Sequence, residues 1–171
     1  MPNLGHADIL REIAAHTSDE FKQDVVSFRV TIPTSGDITQ PANEQLRSNY
    51  DYYVRRVRAS MTGAGNTANA ATADTQYDDI QEIRFNFRES GSGQNMFTSD
   101  IELATLCDSN TGRPSGDLEF TPHGYKLRAG SHIIPTFTRR ASAVTTARIV
   151  VVQLICELIP RNYHQLPPRQ Y

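Results

Sequence analysis

The polarity pattern of this chain changes period several times, and each change marks an element. From Val25 to Ile32, apolar Val26, Phe28, Val30 and Ile32 alternate with Ser27, Arg29 and Thr31. A period of two places one set on a buried face and the other in water, so this segment predicts a half-buried strand. Pro33-Thr34-Ser35-Gly36-Asp37 ends it. Tyr50–Ser60 predicts the next strand. Tyr52 and Val54 fall on one face, Tyr53 and Val57 on the other, with Arg55, Arg56 and Arg58 interleaved. Regular alternation would set Arg56 and Arg58 on one face and Arg55 on the opposite one.

Ile83, Phe85 and Phe87 alternate with Arg84, Asn86 and Arg88 in a further strand, and Ser90-Gly91-Ser92-Gly93 supplies a hairpin turn. Residues 95–106 are mixed and predict a short strand, a helical turn or both. Leu118–Phe120, Tyr125–Leu127 and Ile133–Thr138 predict short strands, and Pro135 assigns the last to an edge or a bulge.

The run from Ala147 to Ile159 is β-branched and free of Gly and Pro, which predicts a long strand. Its even positions Val150, Val152, Leu154, Cys156 and Leu158 are all apolar. Of its odd positions, Ile149, Val151 and Ile155 are apolar while Gln153 and Glu157 are not. A strand with one wet face alternates cleanly. The second face here is therefore expected to be covered, by another part of the chain or by another subunit.

Two terminal segments differ from this pattern. Ile9, Leu10, Ile13 and Ala14 lie at helical spacing within residues 6–15, which predicts a short amphipathic helix that needs a surface to lie on. After Pro160 the chain is polar and carries Pro167-Pro168, so it predicts an extended tail. The segment 63–75, rich in Gly, Ala, Thr and Asn, predicts a long inserted loop. The expected organisation is an N-terminal arm with a short helix (1–24), a β-sandwich domain (25–160) and a C-terminal tail (161–171). About seven or eight short strands with almost no helix predict an all-β fold, an antiparallel β-sandwich of jelly-roll-like form.

Composition narrows the functional classes. The 171 residues fit one domain. Val, Ile, Leu and Phe make up about a fifth of the chain, low for a globular fold, but a net charge of −2 is too small to drive disorder. That near-neutral balance argues against a dedicated nucleic-acid binder. The chain has no apolar run long enough for a transmembrane helix. Its first residues have neither a basic nor an apolar signal-peptide region. Production in a cytoplasm, without membrane association, is the expectation.

Candidate chemistry is sparse. The five His residues (His6, His16, His123, His132, His164) are scattered, and no pair has zinc-site spacing. Neither a metal nor a cofactor is expected. Cys107 and Cys156 could bridge, although Cys156 also fits as a small buried hydrophobe. Asp78, Asp79 and Glu82 form the densest acidic cluster, read as a solvated group protecting a sheet edge. Ser131 and His132 are adjacent on a strand and point to opposite faces, so they do not form a nucleophile–base pair. No nucleophile elbow or phosphate-binding loop occurs. Arg55, Arg56 and Arg58 could contact nucleic acid or an acidic partner; with 19 acidic to 17 basic residues, cross-strand ion pairs are the favoured reading. Tyr50, Tyr52 and Tyr53 beside them could line an interface or, less readily without any Trp, a sugar groove.

Three segments together resemble a group of β-sandwich virion proteins of tailed phages. They are Tyr50-Asp51-Tyr52-Tyr53-Val54-Arg55-Arg56-Val57, Pro122-His123-Gly124-Tyr125-Lys126-Leu127-Arg128-Ala129-Gly130-Ser131, and Arg148-Ile149-Val150-Val151-Val152-Gln153-Leu154. Phe85-Asn86-Phe87-Arg88, followed by Ser92-Gly93 and Met96-Phe97, fits the same pattern. The resemblance spans roughly residues 26–160. The inserted loop and the Pro-containing tail depart from it. It implies a non-enzymatic structural role in a virion, made in the host cytoplasm, with copies of the chain and other virion proteins as partners. The interface candidates are Ile9, Leu10, Ile13, Ile149, Val151, Ile155, Tyr163 and Tyr171, with Leu166 a further tail anchor. A binding module that presents loops 63–78 and 108–117 to a glycan or receptor is the competing class. An enzyme would need converging carboxylates, such as Asp78 and Asp79 facing Glu119.

Overall fold

Alternating polarity gives this chain strands that each have one apolar face, and two sheets form by burying those faces against each other. The computed structural model describes residues 22–63, 79–108, 111–120, 124–140 and 147–161. The strands are β1 (Lys22–Ile32), β2 (Glu44–Gln45), β3 (Tyr50–Gly63), β4 (Ile83–Glu89), β5 (Ile101–Glu102), β6 (Leu118–Glu119), β7 (Tyr125–Leu127), β8 (His132–Arg139) and β9 (Arg148–Pro160). One sheet has the order β1-β9-β3, with β6 and β7 both pairing with the far side of β3. The other has the order β2-β8-β4-β5. All the pairings are antiparallel. The all-β, antiparallel sandwich expected from the sequence is thus observed. The expected helix over 6–15, the tail beyond Arg161 and most of the 63–75 loop lie outside the described residues.

The core lies between the sheets. Val26, Phe28, Val30 and Ile32 of β1 meet the even positions of β9 and the inner face of β3. Ile83, Phe85 and Phe87 of β4 and Ile133 and Phe137 of β8 face them. Phe28 and Phe87 touch across the sandwich with ring centroids 5.2 Å apart. Burying one such ring contributes about 1.5–3 kcal/mol. Asn86 is also buried; its side chain serves the backbone of the 95–100 segment, accepting from Phe97 N (3.3 Å) and donating to Phe97 O (3.2 Å).

Several local expectations hold. Residues 101–105 form both a short strand and a turn of 3-10 helix (Leu103–Thr105). The 90–93 turn closes with Gly93 N donating to Glu89 O at 2.8 Å. Pro135 sits where β8 has no strand on one side, because β2 pairs only with His132 and Ile133. Two residues on, Phe137 N and O bond instead to the side-chain amide of Gln40 (2.7 and 2.9 Å).

One expectation fails in an informative way. The pairing of β3 with β9 shifts between Val54 and Arg56, so Arg55 is an extra, bulged residue. The bulge resets the phase of the strand. Val57 points inward and is fully buried, on the same face as Val54 instead of opposite it. Arg55, in turn, does not face away from Arg56 and Arg58: all three project from the outer face.

Candidate functional site

The outer face of the β1-β9-β3 sheet is the most distinctive surface of the molecule. Its centre is the odd-numbered row of β9. Ile149, Val151, Gln153, Ile155, Glu157 and Ile159 are each half-buried, although the core lies on the other side of the strand. Polar residues flank this row. Ser27, Arg29 and Thr31 of β1 pair with Gln153, Val151 and Ile149, while Arg58, Ser60 and Thr62 of β3 pair with the same three residues from the other side. Val25, opposite Ile155, is half exposed and is the only exposed large hydrophobic among the described residues. The result is an apolar stripe of Ile149, Val151, Ile155 and Val25 inside a polar border.

At one end of the stripe the arginines are held by carboxylates. Bulged Arg55 donates to Glu157 Oε2 (2.6 Å). Arg58 makes a two-pronged contact with Asp117 (2.7 and 2.9 Å), and Arg56 approaches the same carboxylate at 3.6 Å. Arg58 hydrogen-bonded to Asp117 holds its carboxyl below the usual carboxylate range. These are the cross-strand ion pairs favoured by the sequence; each of the three arginines already has an acidic partner within the chain. An open cavity of about 640 Å³ lies beside them, lined by Arg58, Arg113, Pro114, Asp117 and Glu119 among others.

The tyrosines separate. Tyr52 is core, with burial raising its pKa, and its hydroxyl oxygen lies 3.5 Å from the donating Arg47 N. Tyr53 carries Lys126 over its ring at 5.6 Å, and Lys126 also bonds Asp51 (2.9 Å). No shared aromatic groove results.

The acidic cluster is not a solvated edge guard. Asp79 is buried and accepts from Arg148 Nε at 2.7 Å, both side chains being 2 % exposed. Burial forces the pairing, because an isolated charge there would be far costlier. Nη2 of Arg148 and Oε2 of Glu82 are buried without a hydrogen-bond partner among the described residues. Asp78 lies outside the described residues. The carboxylate pairing that an enzyme would require is not formed by Asp79 and Glu119. Arg148, which holds Asp79, pairs with Gly63, and Glu119 pairs with Arg56. Positions 56 and 63 stand roughly 23 Å apart along an extended strand. Asp79 also points inward, and Glu119 is exposed.

Ser131 and His132 do not act together either. The single Ser131 hydroxyl proton is shared between Arg128 O (2.7 Å) and Glu89 Oε1 (3.1 Å), and Glu89 Oε1 also accepts from Arg128 N (2.6 Å), so this buried carboxylate ties down the β7–β8 turn. Cys107 and Cys156 are both free and buried, with no bridge between them. Among the described residues no cluster of three His, Cys, Asp or Glu side chains is arranged to hold a metal ion, and no helix is long and apolar enough to cross a membrane. Of the interface candidates, Ile149, Val151 and Ile155 come together on the outer face, while Ile9, Leu10, Ile13, Tyr163, Leu166 and Tyr171 lie outside the described residues.

No family model matches the chain, and no curated protein matches it in sequence. The fold and this surface therefore carry the functional reading.

Proposed function

We propose that this chain is a non-enzymatic structural subunit of a virus particle, with a jelly-roll fold, that assembles with copies of itself and with other virion proteins. The observation that carries the reading is strand order. β6 and β7 both pair with β3 and can be counted as one broken strand. The eight resulting positions run 1-9-3-6/7 in one sheet and 2-8-4-5 in the other. That is the order produced by two Greek keys wound as a jelly roll, an architecture used by viral capsid domains, lectins and cupins. Fold alone does not choose among these. The resemblance of segments 50–57, 122–131 and 148–154 to tailed-phage virion proteins favours a capsid, capsid-decorating or vertex and neck role. The apolar stripe on an outer sheet face favours assembly through that face.

The test is native mass by light scattering over a concentration series, with negative-stain imaging of the products. Closed oligomers or concentration-driven particles are expected. A strict monomer at every concentration would overturn self-assembly.

A second reading, a glycan- or receptor-binding module, is favoured by the cavity beside Arg58, Asp117 and Glu119. Glycan-array binding lost in Asp117→Ala would support it, and an array with no signal would remove it.

A further inference from the structure

Three of the four sheet edges in this sandwich are closed by very short strands. β2 and β5 have two residues each, and the β6/β7 edge is broken into pieces of two and three. Short edge strands are a standard protection against unwanted pairing. The fourth edge is different. β1 has 11 residues, is regular along its whole length, and contains no Pro, Gly or bulge.

The direction of its backbone groups can be read from one hydrogen bond. Val25 N donates to the side chain of Asp24 (2.9 Å), so the Val25 N–H points away from β9. In an antiparallel ladder, alternate residues share that direction. Gln23, Val25, Ser27, Arg29 and Thr31 therefore all present their N–H and C=O groups at this edge, which no other described strand pairs with. Among the described residues, only the N–H of Val25 is occupied by a side chain.

We infer that this edge is a docking strand for a second copy of the chain, with β1 pairing antiparallel to β1 of its partner about a two-fold axis. A strand paired with its own copy is isologous, so each contact is made twice. The register that aligns all of β1 sets Lys22 opposite the partner's Ile32 and centres on Ser27. In that register Arg29 lies against the partner's Val25, Asp24 against the partner's Val30, and no two like charges are opposed. The five outward-bonding residues of each copy then exchange about ten hydrogen bonds, once Val25 N leaves the Asp24 side chain. The half-exposed Val25 is covered by the aliphatic stem of an arginine. The two outer faces join into one continuous surface, so the apolar stripes of both copies lie on the same side. This inference deepens the assembly reading, on which it rests, by naming the partner and the contact.

Ser27 supplies the test, in the full-length chain. Ser27 is exposed and its N–H is not used in the ladder with β9, so Ser27→Pro removes no bond from the fold. Ser27→Lys is the second variant, because it opposes two like charges at the axis without altering the backbone. Ser27→Cys would stand about 5.5 Å from its copy, Cα to Cα, within the range a disulfide spans. Arg29→Cys serves as the register control, since Arg29 and its copy are far apart in this register.

The expected results are dimers of the wild type in light scattering, loss of dimer in Ser27→Pro, and at least a roughly tenfold weaker dimer in Ser27→Lys. Mild oxidation should cross-link Ser27→Cys and leave Arg29→Cys monomeric. If the wild type associates but Ser27→Lys associates equally and Ser27→Cys does not cross-link, the edge contact is wrong and the assembly reading stands. If the wild type itself never associates, the assembly reading has failed as well.

Discussion

A Cβ placed on Gly124 would stand 2.9 Å from the carbonyl oxygen of Val54, the residue that precedes the β3 bulge. Gly124 also has φ +74, a conformation that side chains disfavour. The same bulge accepts Phe120 N on Arg55 O (2.9 Å). The glycine, the bulge and Phe120, whose carbonyl accepts Gly124 N (3.0 Å), therefore form one unit. Gly124→Ala is expected to destabilise the protein by about 1–3 kcal/mol, from backbone strain and contact with Val54 together. Urea unfolding of the two proteins measures it; an unchanged midpoint would mean that Gly124 shifts away from the bulge at no cost.

The buried Arg148–Asp79 pair gives a second prediction. Arg148→Met leaves the Asp79 carboxylate buried without its cation and should cost about 3–5 kcal/mol. Adding Asp79→Asn to Arg148→Met should recover much of that loss, because the stranded charge is gone. A double-mutant cycle from denaturant melts would show the coupling, and simple additivity of the two changes would refute it.

The Arg58–Asp117 contact predicts a pH dependence. Asp117 is held below the usual carboxylate range in the folded protein. Its contribution is therefore present above the unfolded pKa and fades as pH falls through the lower folded value. Arg58 is partly exposed, so the effect is small and screened by salt. Melting temperature followed below about pH 4 should fall less steeply for Asp117→Asn than for the wild type. Parallel curves would show that the pair does not contribute.

Burial pushes both thiols, Cys107 and Cys156, up to about 12. The thiolate is the reactive form. Neither cysteine should react with a thiol reagent near neutral pH while the chain is folded, and both should react at once in denaturant. Fast labelling of native protein would mean that the core around β9 opens readily.

The strands legible in the sequence were those where polarity alternates over many residues. β1 and β4 follow from that rule alone, because every second side chain faces the same core, and β9 follows from its long β-branched run without Gly or Pro. β3 is legible too, but beyond Arg55 its inside and outside are the reverse of what plain alternation gives. Nothing in Arg55-Arg56-Val57-Arg58 announces an extra residue, since a bulge is defined by the partner strand and by the closely packed Gly124. The charge of Asp79 misled for a related reason. Acidic residues beside a loop are usually solvated, and the cation that buries this one comes from Arg148, far along the chain on β9. The apolar odd positions of β9 are visible in the sequence, and they form the outer stripe. The open edge of β1 could not be read from β1 itself, because it depends on which strands lie beside it.

The placement of β9 has a consequence for how the protein must be made. β9 lies between β1 and β3 and is their common partner, yet among the nine described strands it is the last to leave the ribosome. Until it emerges, β1 and β3 have no shared neighbour, and the buried faces of both lack the central strand that joins them. Folding of the sandwich must therefore wait until β9 has been made, with contacts far apart in sequence forming late and slowly. During that interval the waiting strands are the segments most exposed to aggregation and to capture by chaperones.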